Sequence, residues 1–204
     1  MKTSIFLALP FLALIFQARP TKQLFARGEE VAADSAAQQN KLCTVQGEEM
    51  EVFASYLKEG IASPQVLVTK TVPAHADVDA LNLQLAAQGR GIPPEVRADF
   101  KEKNKSSCLI KPSAGIPNLH FISKHEHDLM FRKASTGWSD FHKKYGKEAE
   151  ILLLSRVGLN PENTLALLHV SSGMGSMAGS GALYLFERKN GKWVIKARIQ
   201  TWIT

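Results

Sequence analysis

The chain is poor in the side chains from which most catalytic and metal-binding signatures are built. Its 204 residues include two cysteines and six histidines. Apart from one histidine cluster, no Cys or His pair stands at ligand spacing, so the usual zinc signatures find no match. Nor does Ser176 sit in a Gly-x-Ser-x-Gly elbow, since Met174 and Ala178 flank it two residues away. No run of five or six like charges occurs. The basic residues are scattered (Lys101, Lys103, Lys105; Lys143, Lys144, Lys147; Lys192, Lys196, Arg198) without interleaved aromatics. That pattern describes solvated faces, and no nucleic acid partner is expected. Long apolar runs are missing as well: Ile5 to Phe16 falls short of the ~20 residues that a membrane-spanning helix needs.

What remains is the composition of an ordinary folded domain. Hydrophobic residues make up 45% and charged residues 22%, enough for one well-packed core and too balanced for overall disorder. The positive start at Lys2, the apolar run and the lack of any acidic residue before Glu29 fit a secretory signal peptide over residues 1–18. Ala18 is one cleavage point, with a bulky Phe16 at −3; Val31-Ala32-Ala33 has better local chemistry but lies far downstream. The mature protein is expected to be exported, periplasmic or extracellular, with no transmembrane anchor. Removal of residues 1–18 takes away Lys2 alone among the charged groups, so the formal charge falls from +6 to +5. In such a compartment Cys43 and Cys108 are either bridged or two separate thiols; a bridge would contribute roughly 4 kcal/mol by the chain-entropy argument.

Residues 19–42 are polar, Ala- and Gln-rich and aperiodic, and read as a flexible lead-in to a single domain over 43–204. Met50, Phe53 and Leu57 form a helical stripe behind Glu48, Glu49 and Glu51, whose charges suit a helix N-terminus. Val66 to Val68 reads as a short strand and Val78 to Ala87 as a helix. Pro93-Pro94 opens a further helix carrying Val96 and Phe100. Residues 105–118 read as loop and Leu119 to Ile122 as strand. Trp138, Phe141 and Tyr145 share a helix face. Four strands follow: 151–157, 164–170, 182–189 and 192–201. Asn190-Gly191 between the last two is a hairpin signal that sets Arg188 opposite Trp193, Phe186 opposite Ile195, Tyr184 opposite Ala197 and Ala182 opposite Ile199. The expected fold is α+β, with N-terminal helices packed on a C-terminal antiparallel sheet of about four meander strands. One sheet face is apolar. The other, with Leu183, Leu185, Glu187, Lys196 and Arg198, is mixed and reads as solvated or partly covered.

The stretches Gly137-Trp138-Ser139-Asp140-Phe141 to Tyr145, Leu154 to Asn160 (LSRVGLN), the Gly-rich segment, Gly191-Lys192-Trp193 and Thr201-Trp202-Ile203 resemble the C-terminal signature of a family of uncharacterised exported bacterial proteins. Upstream, Glu51-Val52-Phe53, Asp99-Phe100 and Asn104 are similar too. The resemblance implies export and a shared fold and brings no reaction. Some members carry cysteines in the Gly-rich segment; Met174, Met177 and Ala178 stand there in this chain, so no thiol chemistry carries over.

Three features could carry chemistry. Ser171 to Gly181 is rich in Gly and Ser; its Gly173-Met174-Gly175-Ser176-Met177-Ala178 matches a dinucleotide fingerprint in letters, but a strand follows where the phosphate-binding helix is required. It reads as a long hairpin loop, or as a loop that grips a ligand or partner through Gly173, Gly175 and Gly179. Arg156, after Ser155 in an apolar strand, must reach solvent or a carboxylate, for which Glu187 is the candidate; the alternative is an anion-binding arginine in a cleft beside the Gly-rich loop. His125 and His127, with His120 nearby, would face one way on a strand and could hold Zn²⁺, or they form a polar turn. His142 and His169 read as structural. The leading expectation is a non-catalytic exported module without cofactor that binds a small ligand or a protein. The second is a secreted hydrolase-like enzyme, metal-assisted through His120, His125 and His127.

Overall fold

Alternation of small apolar side chains along the C-terminal third builds a sheet that buries both faces. The computed structural model describes residues 43–204 except 60–62, 75, 88, 113–115 and 134. The signal peptide expected over 1–18 and the lead-in over 19–42 lie outside the described residues.

Five helices are described: α1 (Glu48–Glu59), α2 (Val78–Ala86), α3 (Pro94–Lys103), α4 (Lys124–Met130) and α5 (Gly137–Tyr145). Seven strands form one sheet: β1 (Gln65–Val68), β2 (Leu119–Ile122), β3 (Glu150–Leu154), β4 (Gly158–Leu159), β5 (Leu165–Gly175), β6 (Ala178–Lys189) and β7 (Lys192–Ile203). The strand order is β2-β1-β3-β5-β6-β7, with β4 off this path on β5. The class is α+β as expected, with helices leading into a C-terminal sheet, but the sheet has seven strands rather than about four. The additional ones are β1 and β2, which run parallel to each other and to β3, and the short β4. All four residues of β1 are buried, as an interior strand with both faces covered requires.

Strand periodicity deals the core to two sides. Leu152 and Leu154 of β3, Leu168 and Val170 of β5 and Phe186 of β6 face α1, meeting Val52, Phe53 and Leu57. On the opposite side the covering helices divide the sheet. Leu167, Leu183, Leu185 and Ala197 pack on Val78 and Leu85 of α2 and on Val96 and Phe100 of α3. Val66, Val68 and Ile151 pack on Phe141 of α5, with Phe131 and Trp138 beside them. The face expected to be mixed is therefore largely covered by helices. The expected hairpin register holds for Arg188↔Trp193 and Phe186↔Ile195; a bulge between Leu185 and Phe186 then sets Tyr184 opposite Arg198 and Ala182 opposite Gln200. The extra residue is what turns Ala197 and Ile199 toward α2 and α3. The turn itself behaves as read, with φ of 51° at Asn190 and 74° at Gly191.

The largest correction concerns Ser171 to Gly181, which is a β-hairpin and not a long loop. Ser171 pairs with Gly181, Ser172 with Ser180 and Gly173 with Gly179, leaving only Ser176 and Met177 to make the turn. Backbone pairing continues where the side chains are nearly absent because two indoles occupy the space those side chains would have filled. A methyl group at Gly173 would lie 3.1 Å from Trp138, and one at Gly181 would run into Trp202.

Candidate functional site

Arg156 and the glycines, which the sequence placed beside one another, belong to different parts of the molecule. Strand β3 ends at Leu154, so Ser155 to Val157 are irregular rather than strand. The Arg156 guanidinium turns toward α1 and forms a bidentate pair with Glu49, Nε to Oε2 at 2.8 Å and Nη2 to Oε1 at 2.5 Å. Both side chains are nearly buried, and the Glu49 carboxylate raises the Arg156 pKa further above its ordinary value. The expected partner, Glu187, instead pairs with Lys189 and Lys196. Glu49 suits the guanidinium better because it sits in the first turn of a helix whose buried face lies against the end of β3.

The rest of this cluster closes on itself. Cys43 and Cys108 form a disulfide, and Nη1 of Arg156 donates to its sulfurs at 2.6 Å (Cys108) and 3.4 Å (Cys43). Asn104 donates to the Arg156 carbonyl at 3.1 Å and accepts its N–H at 2.9 Å, while Asp99 accepts the Leu159 N–H at 2.7 Å. Ser155 Oγ donates to the Arg156 carbonyl and accepts from the His169 N–H. Gly158 lies so close to α3 that an added methyl would stand 2.5–2.7 Å from Phe100. Much of the 154–160 segment, with Asp99, Phe100 and Asn104, therefore locks α3 to β4. The side chains of Ser155 and Arg156 are thus engaged within this cluster.

The histidines are not assembled either. His120 is on β2, packed near the Tyr145 ring, whereas His125 and His127 are on α4 and not on a strand or turn. Two residues apart on a helix, they point to nearly opposite sides and do not share a face. Among the described residues no three His, Cys, Asp or Glu side chains are grouped to hold a metal ion.

The glycines do line a cavity. It has a volume of about 500 Å³ and opens between α4, α5 and the tip of the β5–β6 hairpin. Ile151, Leu153 and the Ser171–Gly175 end of β5 border it, together with Gly179. One wall is the Phe131–Trp138 pair, whose rings meet edge to face with centroids 4.9 Å apart. Helix α5 can start this close to Phe131 because its first residue is Gly137, where a methyl would lie 2.8 Å from the ring. The other wall is Trp202, which lies against Gly179 and Gly181 near the end of β7. Polar groups are few: the hydroxyls of Ser171, Ser172, Ser176 and Thr204, and the imidazole of His127.

Among the described residues His127 is the only ionisable side chain in the lining. Its Nδ1 is 3.0 Å from the carboxylate of Asp128, an acceptor that orients the ring. Lys124, followed by His127, holds the Asp128 carboxyl below the usual carboxylate range. Among the described residues the imidazole has no hydrogen bond to a serine, so no nucleophile–base pair is formed.

Of the five residues expected to contact a ligand, three therefore lie at the cavity and two do not. Phe131, Trp138, Trp202 and Thr204 were missed. The available signal was the two-residue period of Gly173 and Gly175, and of Gly179 and Gly181, which belongs to a strand with one bare face. Among the described residues no helix is long and apolar enough to cross a membrane. No protein-family model matches this chain, and comparisons with curated proteins and with solved structures return no match, so the geometry of this cavity is what a functional reading must rest on.

Proposed function

We propose that the protein is an exported, non-catalytic module that binds a small ligand in the cavity between α4, α5 and the β5–β6 hairpin. The observation that carries the reading is the cavity itself. About 500 Å³ of space with two indoles and a phenyl ring around a glycine floor has the size and lining of small-molecule sites. A lining with one imidazole and no nucleophile paired to it supports binding rather than reaction. Export is supported by the apolar segment of residues 5–16 and by the oxidised Cys43–Cys108 pair, which suits an oxidising compartment. The resemblance to an exported bacterial family, on the residues given above, supports export as well.

Tryptophan fluorescence of the full secreted protein, titrated with a panel of small molecules, tests the reading. Saturable, one-to-one changes that disappear in Gly175→Leu support it. Position 175 suits this test because an added Cβ would meet only Ala178, at 3.7 Å, so a side chain fits there at the cavity edge. Ligands that bind equally well to Gly175→Leu would move the site elsewhere.

A further inference from the structure

Charge selects first among ligands that could enter this cavity. Among the described residues no Lys, Arg, Asp or Glu belongs to its lining. An anion would meet the His127 imidazole alone, a cation would meet no acidic side chain among the described lining residues, and an unpaired ion that loses its water costs several kcal/mol. The Ser172 hydroxyl meets that of Ser180 at 3.3 Å and Thr204 Oγ1 accepts from the Gly179 N–H at 3.1 Å, so the lining offers a ligand few polar contacts, from Ser171, Ser176 and His127.

Shape selects next. Gly173 and Gly179 face one another across β5 and β6, and each touches a different indole: Trp138 stands 3.1 Å from the Cβ position of Gly173, and Trp202 stands 3.2 Å from that of Gly179. Two flat aromatic walls thus rise from one bare cross-strand pair. With Phe131, Ile151 and Leu153 completing the lining, the contact surface is made mostly of ring faces and aliphatic carbon. A sugar would use the indoles but needs many in-plane hydrogen bonds, and among the described residues no Asp, Glu, Asn or Gln lines the cavity to supply them. The rim repeats the apolar theme. Met177 is 84% exposed and Ile203 74%, and these residues adjoin Ser176 and Trp202 of the lining.

We infer that the ligand is a neutral, apolar molecule with a planar ring system, held against Trp138 and Trp202 over the Gly173–Gly179 pair. This rests on the cavity being the binding site proposed above. The test compares three probes on the full secreted protein: the neutral fluorophore N-phenyl-1-naphthylamine, the closely related but sulfonated 8-anilino-1-naphthalenesulfonate, and maltotriose. The neutral arene should bind one-to-one with enhanced fluorescence, and the sulfonated one at least about tenfold more weakly. Maltotriose should displace neither, and Gly175→Leu should abolish the signal. Binding of the sulfonate or of maltotriose in preference to the neutral arene, still lost in Gly175→Leu, overturns the ligand class and leaves the site standing. Failure of all three probes, or binding indifferent to Gly175→Leu, overturns the site as well. Should Gly175→Leu fail to fold, Trp202→Ala near the chain end takes its place. That variant must weaken the neutral arene at least about tenfold, and undiminished binding to it overturns the site.

Discussion

Arg156 and the glycines of the β5–β6 hairpin are both odd residues among apolar strands, and the structure puts them to opposite uses. Around Arg156 each guanidinium nitrogen finds an acceptor: Glu49 takes the bonds of Nε and Nη2, the disulfide sulfurs take those of Nη1, and Asn104 clamps the backbone. Around Gly173 and Gly179 the opposite holds, because side chains are withheld and the space passes to two indoles and a cavity. A polar residue in an apolar setting is thus weak evidence for a binding site until its partners are counted. A run of missing side chains beside aromatics is better evidence.

The contrast can be broken from the structural side first. Replacing Cys43 and Cys108 with Ser opens a link between residues 65 apart and should cost roughly 4 kcal/mol in urea unfolding, with the affinity for N-phenyl-1-naphthylamine unchanged in the folded fraction. Arg156→Ala leaves the Glu49 carboxylate with Lys103, at 3.6 Å, and the Val157 N–H, at 3.3 Å, and should lower stability by about 3 kcal/mol. Replacing Arg156 and Glu49 together with Met should recover most of that loss, since a buried pair exchanged for apolar groups is often neutral. Gly158→Ala, pressed against Phe100, should cost about 1–3 kcal/mol as overpacking and leave the cavity alone.

From the cavity side, Gly179→Ala pushes on Trp202 and should weaken the neutral arene by about tenfold while shifting stability by less than about 1 kcal/mol. The smallest effect is one of pH. Arg188 holds the Glu48 carboxyl below the usual carboxylate range, with the Trp193 indole helping and burial opposing. A carboxyl depressed in the folded state contributes stability that is present above its unfolded pKa of about 4.3 and lost as pH falls through the lower folded value. The loss should be under about 1 kcal/mol, as for a partly exposed pair, and visible in Trp193 fluorescence below about pH 4. Arg188→Gln should remove that acid transition.

How far the sequence disclosed this follows from the range of the forces involved. Local signals were legible: the acidic start of α1, Pro94 opening α3, the Trp138–Phe141–Tyr145 face of α5 and the Asn190-Gly191 turn all act within a few residues. The parallel pairing of β1 with β2 and β3 was hidden, because four-residue strands carry no register signal across such separations. The bulge at Leu185/Phe186 was hidden for a related reason: packing on α2 and α3 sets it, and Asn190-Gly191 does not. The partner of Arg156 lies 107 positions away, and the nearer Glu187 was the wrong choice. The Gly-rich hairpin reads as loop because β-propensity is scored on side chains, while here Trp138 and Trp202 supply the packing from elsewhere.

The most direct test crosses the two regions, with stability and N-phenyl-1-naphthylamine affinity measured on both Arg156→Ala and Gly175→Leu. Arg156→Ala should lose about 3 kcal/mol and keep its affinity, whereas Gly175→Leu should keep its stability and lose the probe. A folded Arg156→Ala that no longer binds, or a Gly175→Leu that binds as the unmodified protein does, would contradict the division between a structural arginine cluster and a glycine-floored ligand site.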